Sequence, residues 1–322
     1  YPWSLLPPPA LFEAFGTSYH PAWLVGSIDE AVKELGFEVR FTGIQGSDQL
    51  AFAQAGIATS GVGAPNGRSH TRDDKLETVD LEKVRRCAET AARILRKAWP
   101  RLRPPMPERP SVPAPDWAPG EGLGRAKPMA DVRFLASDEL RGRRAGSAEG
   151  EIAARYIAER LRSAGVDALP NAPDYCQDVV WEEKDAPPDS PVDTPRTPFR
   201  ARNVVGFVRG RDPDRAGEFI VIMAHYDHLG TRMVDGVEKI FNGARDNAIG
   251  VAALLAAAEA LALGPPARSV LVLATTAEEE GLIGSRFFVE HPLVPLPRLV
   301  FVLNNDGAGV SEPRLWCIGG LE

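Results

Sequence analysis

Three apolar runs dominate the second half of the chain, at residues 219–224, 269–274 and 299–303. Each is continuous rather than alternating, which fits strands buried on both faces, as in a parallel sheet covered by helices. Residues 247–263 lie between the first two runs; they are Ala-rich and predict a helix, and a shorter helix is expected near 281–290. Further strands are expected over 201–210 and 314–320. Upstream, Pro21 to Gly36 has helical spacing through Leu24, Ile28, Val32 and Leu35. Residues 37–43 alternate as a short strand. Residues 47–56 predict a short helix with Ser47 as cap and Gly56 as stop, and 57–63 a second strand. Val79 to Trp99 predicts a long helix through Leu81, Val84, Ala88, Ala91, Leu95 and Ala98.

The middle of the chain breaks this order. Residues 100–128 are dense in Pro and Gly without periodicity and read as a linker. Helical pattern returns in two pieces, 129–140 and 147–165. Cys176 to Arg200 is polar and Pro-rich and is expected to be a surface insertion. The fold class expected from this alternation is α/β, with a mainly parallel mixed β-sheet carrying helices on both faces.

Composition narrows the function classes. The chain has 322 residues, enough for one large α/β domain or two small ones, with 44% hydrophobic and 25% charged residues. A net charge of −7 argues against nucleic acid as a partner, because phosphate binders carry a basic face. No uninterrupted run of about 18 apolar residues is present, so no membrane span is expected. Cys87, Cys176 and Cys317 are far apart and form no CxxC cluster; at most one disulfide is possible. The N-terminal stretch lacks a basic n-region and is broken by prolines, so it does not read as a signal peptide.

Polar residues capable of binding metal follow each apolar run. His225 and Asp227 come after the first, Glu278 and Glu279 after the second, Asp306 after the third. Asp246 stands at the mouth of the Ala-rich helix, and His70 lies in a polar loop. Open α/β sheets place ligands at the carboxyl ends of their strands, which is where these residues fall. Imidazoles with several carboxylates suit zinc, or cobalt or manganese. Taken singly, each residue has another reading. Asp246 could cap the helix, Asp306 could cap a turn, and Glu278 and Glu279 could be a solvated acidic loop. His225 could be a satisfied core histidine, and Asp227 and His70 surface residues. Holding all these readings at once, at every strand end, is what makes them unattractive. His20, His228 and His291 have no partner by spacing and are assigned no role.

The segments HYDHLG, GARDNAIGVAALL, AEEEGLIGS and LNNDGAG together resemble the co-catalytic zinc aminopeptidases. These are the bacterial leucyl-type enzymes, with glutamate carboxypeptidases and glutaminyl cyclases as relatives. Residues 129–165, which include RGRRAGS, resemble the family's N-terminal beginning, so the resemblance runs from about residue 129 to 322. It also covers residues 1–99, where GSDQLAFAQAGIATSGVG and SHTRDDKLETVD are similar to the family's C-terminal portion. That portion precedes the rest here, so the order is that of a circular permutation, with 100–128 joining the old ends; the alternative is a window across tandem copies.

The resemblance implies a zinc-exopeptidase-like three-layer sandwich and two zinc ions, with another divalent metal possible. It places His225, Asp246 and Asp306 on one ion and Asp246, Glu279 and His70 on the other, Asp246 bridging. Glu278 would be the general base that takes a proton from the metal-bridged water and returns it to the leaving amine. Asp227 would orient His225, and Asp74 would do similar work near His70. Two positions depart from the pattern, Gln49 in place of His and Ser69 in place of Tyr. The implied activity is an aminopeptidase acting on peptides; a carboxypeptidase, a glutaminyl cyclase-like enzyme and a non-catalytic binding module are the alternatives. A secreted or periplasmic setting is implied by the same resemblance.

Overall fold

The computed structural model describes residues 38–42, 47–63, 70–79, 126–181, 199–307 and 314–318, with a few single positions before residue 95. Most of the expected helices over 79–99 and 21–36 and of the 100–128 linker lies outside these residues, as do His20, Ser69 and Cys87.

The front segment supplies β1 (Glu38–Thr42), α1 (Gln49–Gln54) and β2 (Thr59–Gly63). Two helices follow, α2 (Ala126–Leu135) and α3 (Ala148–Ser163). The α3 cap is Ser147, whose hydroxyl accepts the Gly150 N–H at 3.0 Å. Asp131 of α2 holds the two helices together, accepting Arg160 at 2.7 and 2.9 Å and the Tyr156 hydroxyl at 2.6 Å. Next come β3 (Cys176–Trp181), β4 (Phe199–Val208), β5 (Phe219–His225), and a hairpin of β6 (Gly230–Val234) and β7 (Val237–Phe241). The chain then runs through α4 (Ile249–Leu263), β8 (Ser269–Thr275), α5 (Ile283–Glu290), β9 (Leu299–Asn305) and β10 (Arg314–Ile318).

Eight strands form one mixed sheet in the order β1-β10-β2-β9-β5-β8-β4-β3. Its centre, β2-β9-β5-β8, is parallel, while β4 and β3 continue it antiparallel. Along β5 and β8 every residue is buried, because successive side chains feed opposite faces and both faces are covered. Ile220, Ile222, Val270, Val272 and Phe301 pack with α2, α3 and α4 on one side. Val221, Met223, Leu271, Leu273 and Val302 pack with Phe52 of α1 and Phe288 of α5 on the other. The α/β class with helices on both faces of a mainly parallel mixed sheet is therefore the architecture observed.

Three local expectations are corrected. The region from Cys176 is not wholly an irregular insertion: its first residues form β3, paired antiparallel with β4 from Cys176–Val204 to Trp181–Phe199. The β6–β7 hairpin was not expected; Asp235 and Gly236 turn it with φ of 52° and 75°. Ser47 does not cap α1, because its hydroxyl is committed to Asp306 at 2.7 Å. Residues Ala244–Leu263 are long and apolar enough to cross a membrane by length and composition, but 72% of that window is buried inside the fold. The helix is apolar all round because it is a core element.

Candidate metal centre

The carboxyl ends of three adjacent parallel strands carry the site. β5 ends at His225, and Asp227 and His228 follow. β8 ends at Thr275, and a turn with Ala277 at φ 54° presents Glu278 and Glu279. β9 ends at Asn305, followed by Asp306. Asp246 sits in the tight link before α4, with a cis peptide to Asn247. It does not cap that helix; the Asn247 side chain does so, accepting the Gly250 N–H at 3.1 Å.

The candidate ligands converge from both halves of the chain. Donor atoms of His70, Asp246 and Glu279 lie within 4.8 Å of one another, as do those of His225, Glu278 and Asp306. Asp246 joins the clusters: its Oδ1 is 3.1 Å from His225 Nε2 and its Oδ2 is 3.1 Å from His70 Nε2. His70 Nε2 is also 3.1 Å from Glu279 Oε2, and His225 Nε2 is 3.3 Å from Asp306 Oδ1. His70 reaches this position from a backbone with φ 61°.

Asp227 is fully buried, but its oxygens accept the amides of Glu278 at 3.1 Å and Glu279 at 3.3 Å. They stand 3.8 Å from His225 Nδ1, longer than a hydrogen bond. In this geometry Asp227 shapes the Glu278–Glu279 turn. Asp74 acts in a parallel way on the other loop, accepting the amides of Arg245 at 2.8 Å and Asp246 at 3.0 Å. Gln49 is buried and accepts Asn304 Nδ2 at 2.7 Å.

Charges in the site act strongly on each other. Burial opposes the charge of His70, yet the Glu279 and Asp246 carboxylates carry its pKa up to about 11. Burial likewise opposes the charge of Asp246, but hydrogen bonds from His225 and His70 hold it well below the usual carboxylate range. Burial and the neighbouring Asp246 charge push Glu279 up; His70 and His228 outweigh them and bring it to about 2. Glu278 goes the other way. Burial pushes it well up, His225 opposes, and Asp306, Glu279 and Asp48 add repulsion.

Two residues of the site had been given no role. His228 has no exposed surface, and its Nδ1 lies 2.6 Å from Glu279 Oε1, so Glu279 is held between two imidazoles. Gly243, at φ 60°, makes room for that ring: a Cβ there would lie 2.5 Å from His228 Cγ. Asp48, also fully buried, accepts the Thr275 hydroxyl and has its carboxyl raised by burial to about 6. The only sequence signals were the HxDH spacing and an acidic residue just before α1.

The donor set fits a divalent cation. Four carboxylates and two imidazole Nε2 atoms meet over a few ångströms, with Asp48 and Asp227 buried behind them. A borderline ion such as zinc takes this nitrogen and oxygen mixture and offsets the negative excess.

A parallel-sheet edge that gathers histidines and carboxylates in this way could hold a divalent metal ion. Residues 203–320 match the model of Peptidase family M28. Among curated relatives, a "Probable zinc metalloprotease" of Pyricularia oryzae is 30% identical over 246 residues, 69% of this chain and 45% of that protein. A "Vacuolar membrane protease" of Lachancea thermotolerans is 29% identical over 131 residues, 41% of this chain and 12% of that protein. The chain thus spans less than half the length of either. Among solved structures, a Zn-dependent exopeptidase from Parabacteroides distasonis is similar at 20% identity and a TM-score of 0.45, covering 57% of this chain and 62% of that one.

Proposed function

We propose that the chain is a zinc-dependent exopeptidase, an aminopeptidase hydrolysing N-terminal peptide bonds. The observation that carries this reading is Asp246, whose two oxygens each face a different imidazole at 3.1 Å. His225, Asp246 and Asp306 would hold one zinc ion, and His70, Asp246 and Glu279 a second. Zinc bound there supplies Lewis-acid polarisation of the scissile carbonyl and lowers the pKa of water. Glu278 then has the proton work. Its carboxyl, pushed up by burial, accepts a proton from the attacking water and passes it to the leaving amine. Asp227 orients Glu278 by holding its amide. Peptide is the substrate class, and the −7 net charge disfavours nucleic acid.

The domain organisation belongs to the same proposal. Residues 1–99, the linker 100–128 and residues 129–322 form one domain in circularly permuted order. Support comes from β2, which lies between β10 and β9, and from His70, which meets Glu279.

The test is hydrolysis of an aminoacyl-nitroanilide and of its N-acetylated form by wild type and Glu278→Gln. Cleavage of the free-amine substrate alone, lost in Glu278→Gln, supports an aminopeptidase. Equal cleavage of the blocked substrate, or unchanged turnover in Glu278→Gln, contradicts it.

A further inference from the structure

The RGRRAGS stretch has no role in the chemistry above, yet it places the bulkiest fully enclosed side chain among the described residues. Arg143 has no exposed surface. Its Nε donates to the Tyr226 carbonyl at 2.6 Å, and Nη1 donates to Leu135 O at 3.0 Å and to Asn242 O. Nη2 donates to Gly243 O at 2.6 Å and Asp246 O at 3.3 Å. All five acceptors are backbone carbonyls. Four belong to the two links that carry His225, Asp227 and Asp246. A planar guanidinium fork matches five carbonyls where an ammonium does not.

The backbone is bent to deliver this side chain. Arg141, Gly142 and Arg143 are successive left-handed residues, with φ of 43°, 73° and 36°. Only glycine fits between the arginines, because a Cβ on Gly142 would lie 2.4 Å from Phe241 O and 2.5 Å from Gly230 O. A non-glycine residue held at positive φ in a fully buried place points to a function for its side chain. Burial of Arg143 works against its charge, and the carboxylates of Asp74, Asp246, Asp227 and Glu279 sustain it.

We propose that Arg143 is the positioning residue of the metal centre. It fixes the carbonyls of Asn242, Gly243 and Asp246 so that Asp246 turns one oxygen to each imidazole. This rests on the reading of Asp246 as the shared ligand.

The experiment compares wild type, Arg143→Lys and Arg143→Met. Zinc affinity is read by competition with a chelator, and hydrogen exchange is followed by mass spectrometry on the metal-free chains. Arg143→Lys keeps the charge and part of the donor set, so zinc binding is expected to weaken about 10-fold, against about 100-fold in Arg143→Met. Amides over 242–248 are expected to exchange faster in both, while β5 and β8 keep wild-type protection. Unchanged zinc affinity, or unchanged exchange at 242–248, overturns the proposal. Acceleration spread evenly over the sheet is the mark of a merely structural arginine and also overturns it. If Arg143→Met does not fold, Arg143→Lys decides by the same readings. If wild type itself binds no zinc, the metallopeptidase reading falls, and the exchange data still decide whether Arg143 holds the Asp246 link.

Discussion

Asp74 ties the front of the chain to the heart of the site, and removing its carboxylate should loosen both. The side chain is fully buried and accepts two amides, from Arg245 at 2.8 Å and Asp246 at 3.0 Å. Asp74→Ala leaves two enclosed N–H groups without an acceptor, at ~1–3 kcal/mol each. Water can enter beside His70, whose side chain is 25% exposed, so the expected sum is ~2–4 kcal/mol rather than the full range. Burial raises the Asp74 pKa, so its charge is itself held at a cost. Asp74→Asn keeps one acceptor oxygen without that charge and should lose only ~1–2 kcal/mol. The assay is urea unfolding of the metal-free chain, followed by tryptophan fluorescence, with the midpoint shift converted through a common slope. Heat gives a second reading, roughly 3–6 °C lower Tm for Asp74→Ala. An Asp74→Ala protein within ~0.5 kcal/mol of wild type would refute the reasoning, since such values are typical of substitutions that break no buried contact.

Other outcomes are expected on the same grounds. His228→Ala frees one side of Glu279 and should weaken zinc binding roughly 10-fold, read by chelator competition; unchanged affinity means His228 does not help hold Glu279. The Cys176 thiol is pushed up to about 11, chiefly by burial with Asp174 adding to it. Its alkylation, followed site by site by mass spectrometry, should be slow at neutral pH and rise with pH as the thiolate forms; rapid labelling at neutral pH contradicts this.

The parts of the fold legible in sequence are those where burial is uniform. β5, β8 and β9 read as strands because both faces are covered, and α4 read as a helix because its alanines pack on every side. His225, Glu278, Glu279 and Asp306 stand out because they lie at or just after such strands, and Asp246 because it opens the Ala-rich helix, whereas His70 is picked out by the family resemblance of the front segment. What escaped depends on distant partners. β3 alternates buried and exposed residues inside a Pro-rich region, so its pattern was masked by its composition. The β6–β7 hairpin turns on an Asp-Gly pair, but its strands are short and largely exposed and carry no buried face to mark them. The Arg143 donors reach carbonyls of Tyr226 and Asp246, 83 and 103 residues away, and no local pattern records that. Ser47 looked like a helix cap because the cap and the Asp306 contact need the same hydroxyl.

The central claim is that one carboxylate, Asp246, serves two metal positions in one chain. Zinc content of the purified protein, measured for wild type and Asp246→Asn after equilibration with limited free zinc, tests it most directly. Wild type should hold about two zinc ions per chain, and Asp246→Asn should lose both together while keeping its far-ultraviolet spectrum. A wild type without zinc, or an Asp246→Asn protein that keeps its full complement, would contradict the claim.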